Sequence, residues 1–391
     1  KELQRLLRAR GEWNRLADVI AHHITLLVDA QLIAELYLEM GDIYYKELAR
    51  VDRAEQAYNK AREAAPKSAP ALHALGRLYE RSGNWFQALD MLQREAELLG
   101  GVDAALPLLA RIGRINADML GDRDSARDAY RRALTIQSAY APALEALREM
   151  ARQSEDWATY SDYLITQAET ADDPEQKTEL FCEAAQFFSE IKHDDTAAIR
   201  FYQRALGLTV DHPGAARALA DLYFKLDRWV DAREMYQVVA RTQDRMRDVQ
   251  QYCQTYYRLG RTSELVGAKD EALNYYKQAV EADVNYLPAL EGYSQALAVA
   301  GRWEESYKAY QTVLIHHRDA LTTAEVVEIQ HQLGFLCVQQ KQPDRAYKQF
   351  EKALEFYFQT LDIFQHTQEE NSEKLATCLN NIGSTYIRID K

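Results

Sequence analysis

Five tryptophans stand on one ruler in this chain: Trp13, Trp85, Trp157, Trp229 and Trp303, separated by 72, 72, 72 and 74 residues. They are all the tryptophans that its 391 residues contain. Such regular spacing implies a tandem array, in which each unit packs on its neighbours, rather than one globular core. Composition points to helices throughout. Only 8 prolines and 16 glycines are present, no Ser/Gly-rich linker interrupts the chain, and strand-like β-branched runs are missing. The expectation is a continuous all-α chain with no internal domain boundary.

A second set of landmarks lies between the tryptophans. Asp-x-Ala followed four residues later by an aromatic recurs as Asp52/Ala54/Tyr58, Asp124/Ala126/Tyr130, Asp270/Ala272/Tyr276 and Asp344/Ala346/Phe350, with a shifted version at Ala198/Tyr202. Upstream of each stands a small residue among large apolar ones: Gly41, Gly113, Ala185, Gly260 and Gly334. A small residue there lets two helices approach closely, and its apolar neighbours at i−4, i−1 and i+3 form one helical stripe.

With these residues in place, the chain resembles the tetratricopeptide repeat, a 34-residue helix–turn–helix unit. Residues 37–66 carry the pattern as Tyr37, Met40-Gly41, Tyr44, Ala54, Tyr58, Ala61 and Pro66, with one residue inserted before Ala54. A second copy runs Leu72, Leu75-Gly76, Tyr79, Ala88 and Leu92, and further copies centre on Gly113, Arg148, Ala185, Ala220, Gly260, Ser294 and Gly334. The 72-residue period then reads as two unlike units duplicated as a pair.

The resemblance implies an α-solenoid of helix-turn-helix units wound into a right-handed superhelix over residues 1–391. It divides into a partial unit at 1–30, nine units over about 31–358, and a long helix and a lone final helix over about 344–391. The tryptophans fall at the start of the second helix of alternate units and are read as plugs at the helix junctions. On that reading Trp157→Ala opens a cavity costing roughly 3–5 kcal/mol. Pro70, Pro142, Pro213 and Pro288 recur where first helices begin, as proline suits the first turn of a helix.

In this family, binding lies on the concave face, at positions three before, one after, and four or five after the small residue. Carried onto this chain, those positions single out His73, Arg77, Arg81 and Arg114 as a basic cluster within an acidic protein. Arg77 and Arg81 share a helix face, and Arg114 is expected to face them. Guanidinium groups on a rigid frame suit carboxylates, which they grip with two parallel hydrogen bonds. The same register yields a second candidate, Phe224, Tyr257, Arg261 and Phe335, residue types that dominate binding hot spots. Some chaperone-binding relatives clamp a terminal carboxylate with Lys and Asn at the first two of these positions. Here those positions hold Leu38/Asp42, His73/Arg77 and Arg217/Asp221, so chaperone binding is not carried over.

The expected function is a non-enzymatic scaffold that captures a peptide or helix of a protein partner. One alternative is the regulatory region of a larger enzyme or signalling protein. Another is an RNA-binding helical repeat, which the formal net charge of −13 opposes. No phosphate-cradling loop, metalloprotease or nucleophile-elbow motif occurs, so neither catalysis nor a cofactor is expected, and small molecules are not the anticipated ligand. Adjacent histidines at 22–23 and 316–317 diverge by about 100° on a helix and share no ligand direction, so no metal site is expected. Apolar runs are short and broken by charge, which argues against membrane insertion. Four scattered cysteines fit a reducing compartment, and a cytoplasmic location is expected.

Overall fold

The computed structural model describes residues 2–366, and its regular structure is entirely helical, with no strand among the described residues. Two compact units divide between Leu180 and Phe181. The first contains α1 (Glu2–Ala9), α2 (Trp13–Thr25), α3 (Ala30–Asp42), α4 (Val51–Ala64), α5 (Ala69–Arg81), α6 (Trp85–Leu99), α7 (Leu106–Arg114), α8 (Arg123–Ile136), α9 (Ala141–Gln153) and α10 (Trp157–Thr170). The division falls inside α11 (Pro174–Glu190), so no linker marks it. The second contains α12 (Asp195–Leu208), α13 (Pro213–Lys225), α14 (Trp229–Thr242), α15 (Val249–Leu265), α16 (Lys269–Ala282), α17 (Leu287–Val299), α18 (Trp303–His316), α19 (Thr323–Gln339) and α20 (Pro343–His366). At 24 residues α20 is the longest described helix, while the lone helix expected at about 372–391 lies outside the described residues.

Consecutive helices pair into hairpins, and each hairpin packs on the next within its unit. A short side chain on the first helix and an aromatic on the second close the hairpin. A Cβ at Gly41 would stand 2.3 Å from the Tyr58 ring; at Gly113 it would meet Tyr130 at 2.6 Å, at Gly260 Tyr276 at 2.6 Å, and at Gly334 Phe350 at 2.5 Å. These four rings are buried, so the pattern of small residue and distant aromatic is a single packing device. Gly76 differs, because the nearest atom to a Cβ there is a Leu92 methyl at 3.6 Å.

The turn inside each hairpin takes one of two forms. In the shorter form a backbone N–H reaches back five residues, as in Asn84 to Tyr79, Asp156 to Ala151, Arg228 to Tyr223, Ala268 to Ser263 and Arg302 to Leu297. In the longer form it reaches back six: Arg50 to Tyr44, Asp122 to Asn116 and Asp194 to Phe188. Those three turns are 72 residues apart, and in the first two the extra residue is absorbed by a π-helical turn, at Ile43–Glu47 and Ile115–Leu120. One residue in each turn adopts a left-handed conformation, whether it is Gly83, Gly267 and Gly301 or the costlier Ala49, Glu155, His193 and Asp227.

All five tryptophans open a second helix, at α2, α6, α10, α14 and α18, and all are half-buried. Trp85 packs against the leucine-rich cluster that α6 shares with α7, and Trp303 against the corresponding cluster around α17 to α19. Pro70, Pro142, Pro213 and Pro288 stand at the first or second residue of α5, α9, α13 and α17.

Candidate functional site

The closing tyrosines reach across the hairpin and engage carboxylates on the first helix. Tyr58 donates its hydroxyl hydrogen to Asp42 Oδ1 at 2.6 Å, Tyr276 donates to Glu264 Oε2 at 3.0 Å, and Tyr236 donates to Asp221. Burial raises all three phenols well above their usual range, and the bonded carboxylate adds to the shift. These acids are therefore committed to holding rings in place. Asp42 is doubly committed, since Lys46 Nζ also donates to it at 2.8 Å.

Two pockets flank α5. The first, of about 440 Å³, lies between α3 and α5. Its apolar wall is Leu38, Pro70, Ala74 and Leu78 with the Tyr45 ring, and its polar rim is Asp42, Lys46, His73, Arg77 and Arg81. The second, of about 390 Å³, lies between α5 and α7 and is lined by His73, Arg77, Glu80, Arg81 and Arg111. His73, Arg77 and Arg81 border both. They sit at i, i+4 and i+8 on α5, one stripe of a helix at 3.6 residues per turn.

Each basic group has a distinct setting. Arg81 donates to the Tyr45 hydroxyl at 2.7 Å and lies over that ring, 5.5 Å from its centre. Arg111 forms an ion pair with Glu80 at 2.6 Å. His73 Nδ1 lies 3.1 Å from Glu95 Oε1, a carboxylate contributed by α6 beneath the groove. Burial raises the Glu95 pKa, an effect that His73 and then Arg111 oppose. Arg77 is exposed, and among the described residues it has no hydrogen-bond or ion-pair partner; its charge is felt by the Tyr58 phenol.

The structure thus brings together His73, Arg77 and Arg81 and adds two residues the sequence register overlooked, Arg111 and Glu95. Arg114 lines neither pocket; it is exposed on α7, where its charge acts on Tyr130. The expected partner of Arg77 and Arg81 is replaced by Arg111, two residues before Gly113. That position reaches back to the preceding hairpin elsewhere too: Glu39 pairs with Arg8 on α1, and Arg258 lies 4.4 Å from the centre of the Phe224 ring on α13.

The second candidate set is differently occupied. Phe224 packs edge-on against Trp229 at 5.0 Å, and Tyr257 lies 6.0 Å from Tyr276 and 6.2 Å from Tyr286. Arg261 is bound to Glu264 at 2.8 Å. Phe335, on α19, remains 41% exposed. Arg258, rather than Arg261, is the guanidinium that meets Phe224.

Among the described residues no three His, Cys, Asp or Glu side chains are grouped to hold a metal ion, and no helix is long and apolar enough to cross a membrane.

Sequence models described as tetratricopeptide repeat match residues 34–68, 71–101, 254–285 and 327–360, about a third of the chain. No curated protein sequence matches it. Among solved structures, one titled YrrB, a TPR protein with an unusual peptide-binding site, is 18% identical, covering 45% of this chain and 84% of its own at a TM-score of 0.39. MamA is 18% identical over 49% of this chain and 96% of its own, with a TM-score of 0.40. The C-terminal part of a TPR repeat-containing protein from Cytophaga hutchinsonii is 10% identical over 71% of this chain and 99% of its own, at 0.45.

Proposed function

Because this chain is a tetratricopeptide-repeat protein, built of paired helices stacked hairpin on hairpin, we propose that it is a non-enzymatic scaffold. Its groove beside α5 receives an extended segment of a protein partner. The observation that carries this reading is Arg77, an exposed guanidinium without a hydrogen-bond or ion-pair partner among the described residues, at the shared border of two pockets. A free guanidinium on a helix held by its neighbours is preorganised, so little ordering free energy is lost on binding. Its planar fork favours a carboxylate. The separated thiols Cys182, Cys253 and Cys337 support action in a reducing compartment such as the cytoplasm.

The test is affinity capture from source lysate with the wild-type chain and the Arg77→Glu/Arg81→Glu variant. Both sites are exposed, so helical content by circular dichroism should be unchanged. The variant should lose at least one partner that the wild type retains. Retention of every partner would move the binding surface away from α5.

A further inference from the structure

The two pockets beside α5 differ in chemistry although they share a border. The α3–α5 pocket has an apolar wall of Leu38, Pro70, Ala74 and Leu78. Its cation Lys46 is already matched by Asp42, which also holds Tyr58. The α5–α7 pocket has a wholly polar wall. Around both, four cationic side chains (Lys46, Arg77, Arg81 and Arg111) face three carboxylates (Asp42, Glu80 and Glu95). The four cations outnumber the three carboxylates by one, leaving His73 out of the count. One carboxylate from a ligand balances that charge. A second would meet Glu80 or Asp42 without a free cation to offset it, and like charges at contact distance repel.

Spacing follows from the helices. The pockets lie on opposite sides of one helix, so their centres are separated by about one interhelical distance, roughly 8–10 Å. An extended chain advances about 3.3 Å per residue, so two or three residues bridge that gap.

We propose that the site reads a two-part signature in an extended partner segment: an apolar side chain in the α3–α5 pocket and a single Asp or Glu, two or three residues away, on Arg77 and Arg81 in the α5–α7 pocket. This inference rests on the binding role proposed above and narrows its ligand. Arg111, on α7 and tied to Glu80, forms the far wall facing the two α5 arginines, and His73, seated on buried Glu95, closes the end of their stripe.

A random dodecapeptide library displayed on phage tests it, selected on the full chain and counter-selected on the Arg77→Ala/Arg81→Ala variant. Enriched sequences should carry one acidic residue two or three positions from a Leu, Ile, Phe or Met. In fluorescence-polarisation titrations of a synthetic enriched peptide, changing its acid to the matching amide should weaken binding at least tenfold. Filling the apolar pocket by Ala74→Trp should weaken the same peptide while leaving the ratio between acid and amide unchanged. Enriched peptides that need Arg77 and Arg81 but lack the acidic–apolar pair, or hold it at another spacing, would overturn the signature and leave the binding role standing. Absence of any peptide dependent on Arg77 and Arg81 would overturn both.

Discussion

A Cβ added at Gly260 would stand 2.6 Å from the Tyr276 ring, which also crowds Gly292 to 2.7 Å. Gly260→Ala must therefore displace a buried ring, and about 1–3 kcal/mol of destabilisation is expected. Gly76→Ala meets only ordinary contact with Leu92. Better helix propensity should leave it neutral or stabilising by up to about 1 kcal/mol. Urea denaturation of the two variants separates the cases, and similar losses in both would refute the packing account. Ala49 offers the converse change. It is held at φ 50° in a turn where the equivalent residue 72 positions on is Gly121, so Ala49→Gly should stabilise by about 1 kcal/mol. The sequence revealed the close approach of Gly41, Gly113, Gly260 and Gly334 to an aromatic, because contact between paired helices demands a small residue at a fixed offset. It did not reveal that Gly76 lacks that duty, since nothing in the Leu-Gly pair announces that a leucine methyl, rather than a ring, lies opposite.

At the scale of the helix, start signals differ between copies of the longer turn. Asp122 and Asp194 accept backbone N–H bonds from Ser125 and Ala197 at the starts of α8 and α12, whereas Arg50 gives α4 no side-chain cap. Arg50→Asp is expected to raise stability by about 1 kcal/mol, and Asp194→Ala to lower it by a similar amount; thermal melts followed at 222 nm check both. The tryptophans show what position alone leaves open. Their place at a helix start could be read from spacing, but half-burial could not, because it depends on how far the next hairpin slides over the ring. Trp157→Ala is accordingly expected to cost about 2 kcal/mol, less than the full-cavity value anticipated from sequence. The groove shows a related limit. Positions 111 and 114 differ by about 60° around a helix, so register alone does not say which arginine leans toward α5; in the structure it is Arg111 that meets Glu80 on α5. Glu95 was readable in principle. It interrupts the apolar stripe of Ala88, Leu92, Ala96 and Leu99 on α6, and an acid there marks a polar partner below the groove.

Across the whole molecule, the carboxylates fall into two opposed groups. Asp122, Asp156 and Glu325 are held below their ordinary range mainly by helix-start hydrogen bonds, and Asp195 mainly by Lys225. Their contribution is complete above the unfolded values and is lost as pH falls through and below about 4. Glu95 and Glu291 are raised by burial. Their folded forms hold a proton more tightly than the unfolded chain does, so lowering pH toward the glutamate range relieves a penalty. The melting temperature should therefore stay level or rise slightly from pH 7 to about 5 and drop steeply below 4. Glu95→Gln should flatten the upper shoulder. A monotonic fall from pH 7 would contradict the assignment of Glu95 as a buried, penalised acid.

The six-residue reach-back from Arg50 to Tyr44, repeated at Asp122 and Asp194, also limits how such a chain can change length. From Tyr44 to Arg228 long and short turns alternate, so cutting out a single hairpin there would graft one kind of bend onto the seat shaped for the other. Removing residues 50–121 instead joins Ala49 to Asp122 and restores a matching seam. That shortened protein should melt in one sharp step with the same ellipticity per residue, whereas a 34-residue excision should leave a frayed joint. Over that stretch the piece that comes out cleanly is the couplet.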